Sequence, residues 1–392
     1  MTHPLLDQVK ASCPDLPDHL LNNLFITAQS IYLSRSCNLA RAKDFVPQVI
    51  GSAAAAKSRP QANYTRLIRT VKSAVSEEFY DQVQRALHHF RLAMINCFSK
   101  RAIRRAKQLV LDGTSWGCRD GQVHLMTLAL VVDGVAVPIA SIDLAKKGHS
   151  SQQERAALLA RAAEQYDLAG MTLLADREYI GQEWFATLAE YEINFVIRLK
   201  AGIYHQAINE SRGKNCQGMC AKLRRCKKKA RISKPIQLGG KSFYYVVVRN
   251  PKADHPDEDE FVFLLTSLRR ADQAHKQYSV RWSIEVTFGH LKTNGFDLEA
   301  MRVEGTAKRE LLLQLVSLAY IWMCAQGLKF YRKYPTSRQT KWDGKRQVRT
   351  LVHSIFRQGM SWVIIQLAKP AALLRKVANK IDRIHNIPWA HV

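Results

Sequence analysis

The sequence predicts an α/β protein: a mixed sheet flanked by helices, set between a helical N-terminal region and a helical C-terminal region. Three observations carry that prediction. Apolar residues recur with the 3.6-residue helical period up to about residue 105, the pattern changes at Gln108 to short apolar runs bounded by Gly or Asp, and those runs then alternate with helical stretches. With 392 residues, 47% hydrophobic and 23% charged, the chain can form two or three units with real cores, which excludes disorder for its bulk. The 59 Lys and Arg outnumber the 33 Asp and Glu, for a formal charge of +26. A field of that sign favours polyanionic partners, nucleic acid ahead of an anionic membrane surface.

In the N-terminal region, residues 1–105, Leu20, Leu21, Leu24, Phe25, Ala28 and Ile31 keep helical spacing. A second amphipathic stretch runs from Leu67 through Val71, Val75, Phe79 and Val83 to Leu87. A break over 58–63 precedes a helix bearing Arg66, Arg69 and Lys72. Those cations either enter a DNA groove, as in helix-turn-helix proteins, or form the solvated face of a structural helix. The apolar stretch at 20–24 is short and lacks a basic leader, so no secretory signal is expected.

From Gln108 onward the runs 109–111, 123–132 and 135–142 predict three strands joined by tight turns. A helix at 151–166, a strand at 171–175, a helix at 184–191 and a strand at 194–199 complete a core of 106–201 plus 271–300. Residues 212–234 then carry ten Lys or Arg and no acid, and 243–248 and 261–265 read as strands, so 202–270 is expected to be a basic, β-rich insertion. Arg224, Arg225, Lys227, Lys228 and Lys229 are its densest cations, with DNA backbone contact as the functional reading and a solvated charge run as the bland one. A helix over 278–291 follows. The stretch 311–328 is uncharged but interrupted by Gln314, Ser317, Tyr320 and Gln326, which suits a buried core helix better than a membrane span. A soluble, cytoplasmic protein is expected, without membrane attachment. Residues 301–392 form the last region, helical and basic, suited to DNA contact or oligomerisation.

Eight cysteines at mostly irregular spacing read as reduced thiols. Cys216, Cys220 and Cys226 cluster, but they do not form a double Cys-x-x-Cys, and His205 stands outside the cluster.

Two carboxylates close apolar runs: Asp112 after 109–111 and Asp176 after 173–175. An Asp at a strand end is commonly a turn former. If the two strands are neighbours, however, their ends bring two carboxylates together, where a divalent cation relieves their repulsion. Tyr278, Arg281, Glu285 and Lys292 stand at offsets 0, 3, 7 and 14, one narrow sector of a helix beside the apolar stripe of Val280, Ile284, Phe288 and Leu291.

The runs Leu109 to Thr114 and Leu173 to Glu178, with the Tyr278-x2-Arg281-x3-Glu285-x6-Lys292 spacing, resemble the DDE transposases of bacterial insertion sequences, in the group marked by a Tyr-Arg-Glu-Lys motif. The resemblance covers about residues 105–300 and implies an RNase H-like catalytic core with a β-rich insertion before its last catalytic helix. It also implies that Asp112, Asp176 and Glu285 bind two Mg²⁺ or Mn²⁺ ions, that Tyr278, Arg281 and Lys292 contact phosphates, and that double-stranded DNA, both transposon ends and target, is the partner of a homo-oligomer. A hairpin-forming mechanism would need an aromatic of the insertion to stack on a flipped base. The insertion has no Trp, leaving Phe243, Tyr244, Tyr245 or Phe261 for that task or for core packing. Two other readings remain at this point: a DNA-binding relative that has lost catalysis, and an RNase H-like nuclease that cuts without joining.

Overall fold

The computed structural model describes residues 4–50, 52–55, 57–118, 121–200, 216–226, 229–238, 240–250, 260–335, 338–342, 347–367, 380, 384 and 387–391. The chain divides into two compact units, one of Met1–Arg105, Ser115–His124 and Val286–Val392, the other of Ala106–Thr114 and Leu125–Glu285.

The sheet is built from β1 (Gln108–Cys118), β2 (Gly121–Val132), β3 (Val135–Asp143), β4 (Thr172–Ala175), β5 (Asn194–Arg198), β6 (Ala230–Leu238), β7 (Lys241–Arg249) and β8 (Phe261–Thr266). Their order is β3-β2-β1-β4-β5-β8-β7-β6. β1, β4 and β5 run parallel, with Leu111 opposite Ala175 and Ala175 opposite Ile197. Parallel strands are covered on both faces, which is why these three read as unbroken apolar runs. β2 and β3 form an antiparallel hairpin through Asp133 and Gly134, both at positive φ (55° and 82°), the backbone a two-residue hairpin turn requires. The crossovers supply the flanking helices. Gln152–Ala163 opens with a capping box between Ser151 and Glu154 and buries Leu158, Leu159 and Ala162; Gln182–Glu190 buries Trp184, Phe185 and Leu188.

The strands of 202–270 continue this sheet. β8 pairs antiparallel with β5, β7 with β8, and β6 with β7. Phe243 of β7 meets Phe195 of β5 and Phe185 at ring-centroid distances of 5.2 and 5.7 Å. Phe243, Tyr245 and Phe261 are buried and Tyr244 is half-buried, so packing takes up three of the four aromatic side chains that could have stacked on a base. The sequence does not predict β6, because it lies in the basic run and contains Pro235. It is the edge strand, and its register shifts between Ile232 and Pro235, the setting in which a strand tolerates proline.

In the other unit, the helices Asp18–Ser34, Pro60–Ala74 and Tyr80–Ile95 pack on the helix Thr306–Lys333. That helix is long and apolar enough to cross a membrane by length and composition, yet 83% of its most apolar window is buried inside the protein. Its neighbours satisfy some of its polar groups: Tyr32 Oη donates to Leu315 O (3.0 Å) and Arg91 Nη2 to Gln314 Oε1 (3.2 Å). The later segments stitch back to the early helices. Trp389 Nε1 donates to Ile103 O (3.1 Å), Asn96 Nδ2 donates to Lys380 O (3.2 Å), and His88 Nε2 lies 2.8 Å from His391 O.

The region after residue 301 is not wholly helical. β9 (Arg338–Trp342) and β10 (Gln347–Leu351) form a separate antiparallel pair ahead of the helix Ile355–Leu367. Five-residue strands dense in cations gave no clear alternation to read. The helices Thr306–Lys333 and Ile355–Leu367 cross where each has a glycine. A Cβ built on Gly327 would stand 1.9 Å from Ile355 O, and one on Gly359 would stand 1.7 Å from Met323 O. Gly359→Ala should therefore cost about 1–3 kcal/mol through overpacking. Gly117→Ala, whose Cβ meets nothing within 4 Å, should cost far less in the same thermal melts. Equal melting temperatures for the two variants would contradict a close crossing.

Candidate active site

Leu111 and Ala175 are the last paired residues of β1 and β4, so the next residues along these parallel strands are Asp112 and Asp176. The sequence puts both at strand tips. Asp176 does follow the end of β4, but β1 runs on to Cys118 beside β2, so Asp112 marks the end of the parallel ladder and not of its strand.

The stretch read as one helix over 278–291 has three pieces: a helix Ala271–Tyr278, a 3₁₀ turn Ser279–Arg281 and a helix Trp282–Leu291. Arg281 and Glu285 still meet one turn apart, Arg281 Nη2 donating to Glu285 Oε1. The same guanidinium donates from Nη1 to Asp112 Oδ2 at 3.3 Å. Tyr278 Oη donates to Asp176 Oδ1 at 3.4 Å, and its ring centroid lies 5.8 Å from the Arg281 guanidinium carbon. Five of the expected site residues thus converge: Asp112, Asp176, Tyr278, Arg281 and Glu285. Arg281 is 14% exposed against 19% for Asp112 and 33% for Glu285, so the cation is the deepest of the three and the carboxylates remain open to a ligand.

The remaining expected residues lie elsewhere. Lys292 pairs with Glu299 (2.8 Å), donates to Ser115 O (3.4 Å) and stands 5.5 Å from the Trp116 ring centroid. Arg66 is half-buried and Arg69 exposed on the helix Pro60–Ala74. Arg224 is engaged by Glu260, its Nε 2.9 Å from Oε1, whereas Arg225 and Lys229 are exposed. Lys227 and Lys228 lie outside the described residues, as do His205 and the side-chain surroundings of Cys216. Cys220 is buried and Cys226 half-buried.

Two features escaped sequence reasoning. Arg155 is buried and laces the loop after Asp176 in place. It donates to Ser150 Oγ (2.9 Å), Ser150 O (2.8 Å), Glu178 O (3.0 Å) and Ile180 O (3.3 Å). Glu178 in turn accepts from the Ser150 N–H (2.9 Å) and hydroxyl (3.0 Å). The available signal was Arg155 standing in helical phase with Leu158, Leu159 and Ala162, a cation on a buried face. The second is Trp282, 58% exposed directly after Arg281.

Burial pushes the Asp112 carboxyl up to about 6, with Glu285 and Asp176 acting in the same direction against the Gly113 N–H (2.8 Å) and Arg281. Burial likewise raises the Tyr278 hydroxyl, keeping it a neutral donor. From an ordinary value of 3.8 to about 6, the folded state binds more protons at Asp112 than the unfolded one. The stability this group contributes is complete below the lower value and lost as pH rises through the upper. Without divalent ions, Asp112→Asn is expected to melt above the wild type at neutral pH, with the gap closing as pH falls toward the lower value. Thermal melts across that window would contradict the assignment if the gap were constant.

Residues 104–322 match the family model described as Transposase DDE domain. No curated protein matches the chain. Among solved structures, the cryo-EM structure of a piggyBac transposase synaptic complex with hairpin DNA is similar over 95% of this chain and 76% of that one, at 10% identity and a TM-score of 0.44. Asp112, Asp176 and Glu285 all fall within the matched span, which takes in more than half of the sequence, and the chain belongs to the DDE-domain transposase family.

Proposed function

We propose that the protein is a transposase of the Tyr-Arg-Glu-Lys group, acting in the cytoplasm, that cleaves DNA at the ends of its element and joins them to target DNA. The observation that supports this best is the meeting of Asp112, Asp176 and Glu285, from three separate segments, on Tyr278 and Arg281. Carboxylates without imidazole or thiolate suit hard divalent cations. Among the described residues no three such side chains close into a metal cluster; a guanidinium stands between Asp112 and Glu285 instead. The donor set fits the ions all the same, since Arg281 already occupies it with positive charge. Asp112, Asp176 and Glu285 would hold two Mg²⁺ or Mn²⁺, which supply polarisation of the phosphoryl group and acidification of the attacking water or hydroxyl.

Water attacks at the transposon end and frees a 3′-hydroxyl, which then attacks a phosphodiester of target DNA, both in line. Tyr278 orients Asp176 through its hydroxyl, and Arg281 sets the separation of the other two carboxylates. Arg281 and Lys292 attract the phosphates. Arg66, Arg69, Arg225 and Lys229 add backbone contacts, and a homo-oligomer brings two ends together. Trp282, 58% exposed where Phe243, Tyr245 and Phe261 are buried, is the aromatic on which a flipped base would stack.

Asp112→Ala, Asp176→Ala and Glu285→Ala are each expected to abolish Mg²⁺-dependent cleavage of a duplex carrying the element's ends while leaving DNA affinity largely intact, because affinity comes from many cation contacts. Retained cleavage removes that residue from the triad. Cutting without joining in the wild type would make the protein a nuclease, and binding without cutting a decayed relative. Trp282→Ala should slow cleavage of a fully paired end by roughly tenfold, the scale of one lost base stack. A mismatched end, whose base is already loose, should be affected less; equal slowing of both ends, or none, would argue against stacking.

A further inference from the structure

β9 and β10 stand apart from the eight-stranded sheet. An isolated strand pair gains little from its own burial, so a ribbon that exposes its side chains needs another partner to cover them. Four of the five β9 residues are exposed, among them Arg338, Lys341 and Trp342, the last at 68% the most exposed large apolar side chain among the described residues. Strand alternation puts Arg338, Thr340 and Trp342 on one face and Gln339 and Lys341 on the other. Trp342 pairs with Gln347 and Arg338 with Leu351, and neither strand contains an acid.

The chain leaving β10 lines a cavity of about 460 Å³ together with Arg35, His290, Asn294, Arg357 and apolar neighbours, and among the described residues no carboxylate lines it. The side chains of Arg35 and Arg357 form no ion pair among the described residues. Arg35 sits in the left-handed conformation that ends the helix Asp18–Ser34 (φ 50°), a position that favours glycine. His290 is stacked on Phe356 at 4.6 Å, and its Nδ1 is buried without a hydrogen-bond partner. Two guanidinium groups thus line one cavity, with nothing negative among the described residues to receive them.

We propose that the β9–β10 ribbon and the cavity at its foot form a DNA-binding surface, with the ribbon lying in a groove and Arg35 and Arg357 holding one backbone phosphodiester in the cavity. A two-stranded ribbon fits the major groove, about 12 Å wide. The cavity is far too small for a duplex and large enough for a single phosphate with its sugar. The proposal rests on DNA being the substrate, as read above, and adds a site outside the carboxylate cluster.

The test uses the whole 392-residue chain, a 30-base-pair duplex carrying one end of the element and EDTA to prevent cleavage, with affinity measured by fluorescence anisotropy at several salt concentrations. Arg35→Gln/Arg357→Gln should weaken binding roughly tenfold, the scale of a charge-assisted contact, and lower the magnitude of the salt slope by about 0.9 for one released phosphate. Trp342→Ala should weaken binding with the slope unchanged, because the indole carries no charge. Melting temperatures equal to the wild type establish that the variants are folded. Should the double variant not fold, duplexes carrying one methylphosphonate at successive positions, titrated with the wild type, must reveal a position whose neutral linkage weakens binding by a similar factor and whose effect disappears in Arg357→Gln alone. A wild type that binds the duplex while these substitutions leave affinity and slope unchanged overturns the proposal. A wild type that binds no duplex at any salt overturns the reading of DNA as substrate, and the surface with it, from the wild-type curve alone.

Discussion

A single guanidinium holds two of the three clustered carboxylates together. Two carboxylates about 4 Å apart repel by about 4 kcal/mol at the effective dielectric of a protein surface, and Asp112, Asp176 and Glu285 raise that problem in one half-buried place. Arg281 answers it by donating to Asp112 and Glu285 from two different nitrogens. Its planar fork reaches both oxygens at once, which an ammonium on a flexible stem does with less geometric control. The short 3₁₀ turn that ends at Arg281 separates two helices, so the residue that neutralises the site also sits at the joint that sets where Glu285 points.

How much of this the sequence disclosed depends on how local each signal is. The strand and helix order of the core was readable because β1, β4 and β5 are buried parallel strands with uninterrupted apolar runs, and because Asp133-Gly134 and Ser151-x-x-Glu154 carry their own turn and cap chemistry. The convergence of Asp112, Asp176 and Glu285 was legible because each acid closes an apolar run or shares a face with Tyr278 and Arg281. What escaped depends on distant partners. β6 hides behind lysines and Pro235, and only its edge position makes it a strand. Arg155 looks like one more cation of a basic protein until Ser150, Glu178 and Ile180 are seen around it. Arg224 looked free because Glu260, its partner, lies across a stretch of chain whose length says nothing about contact.

The positive charge is not one undifferentiated field. Some cations are neutralised within the fold, as Arg224 is by Glu260, Arg41 by Asp297 and Lys146 by Glu154. Exposed pairs of this kind contribute little to stability, generally less than about 1 kcal/mol each. Their effect is on where charge remains: Arg225, Lys229, Arg338 and Lys341 stay exposed, so a polyanion meets a patterned surface and not a uniform one.

The hydrogen bonds that join Trp389 to Ile103 and Lys380 to Asn96 have a consequence for synthesis. A chain emerging from the ribosome at about 5–20 residues per second presents its early helices long before the helix Thr306–Lys333 exists to cover their apolar faces. For the interval needed to translate some two hundred intervening residues, on the order of ten seconds or more, the early helices have only one another to pack on. The strands between them can close their sheet in that time. The nascent protein therefore has its middle available to fold before its two ends can meet, unlike a molecule whose helices pack in the order they are made.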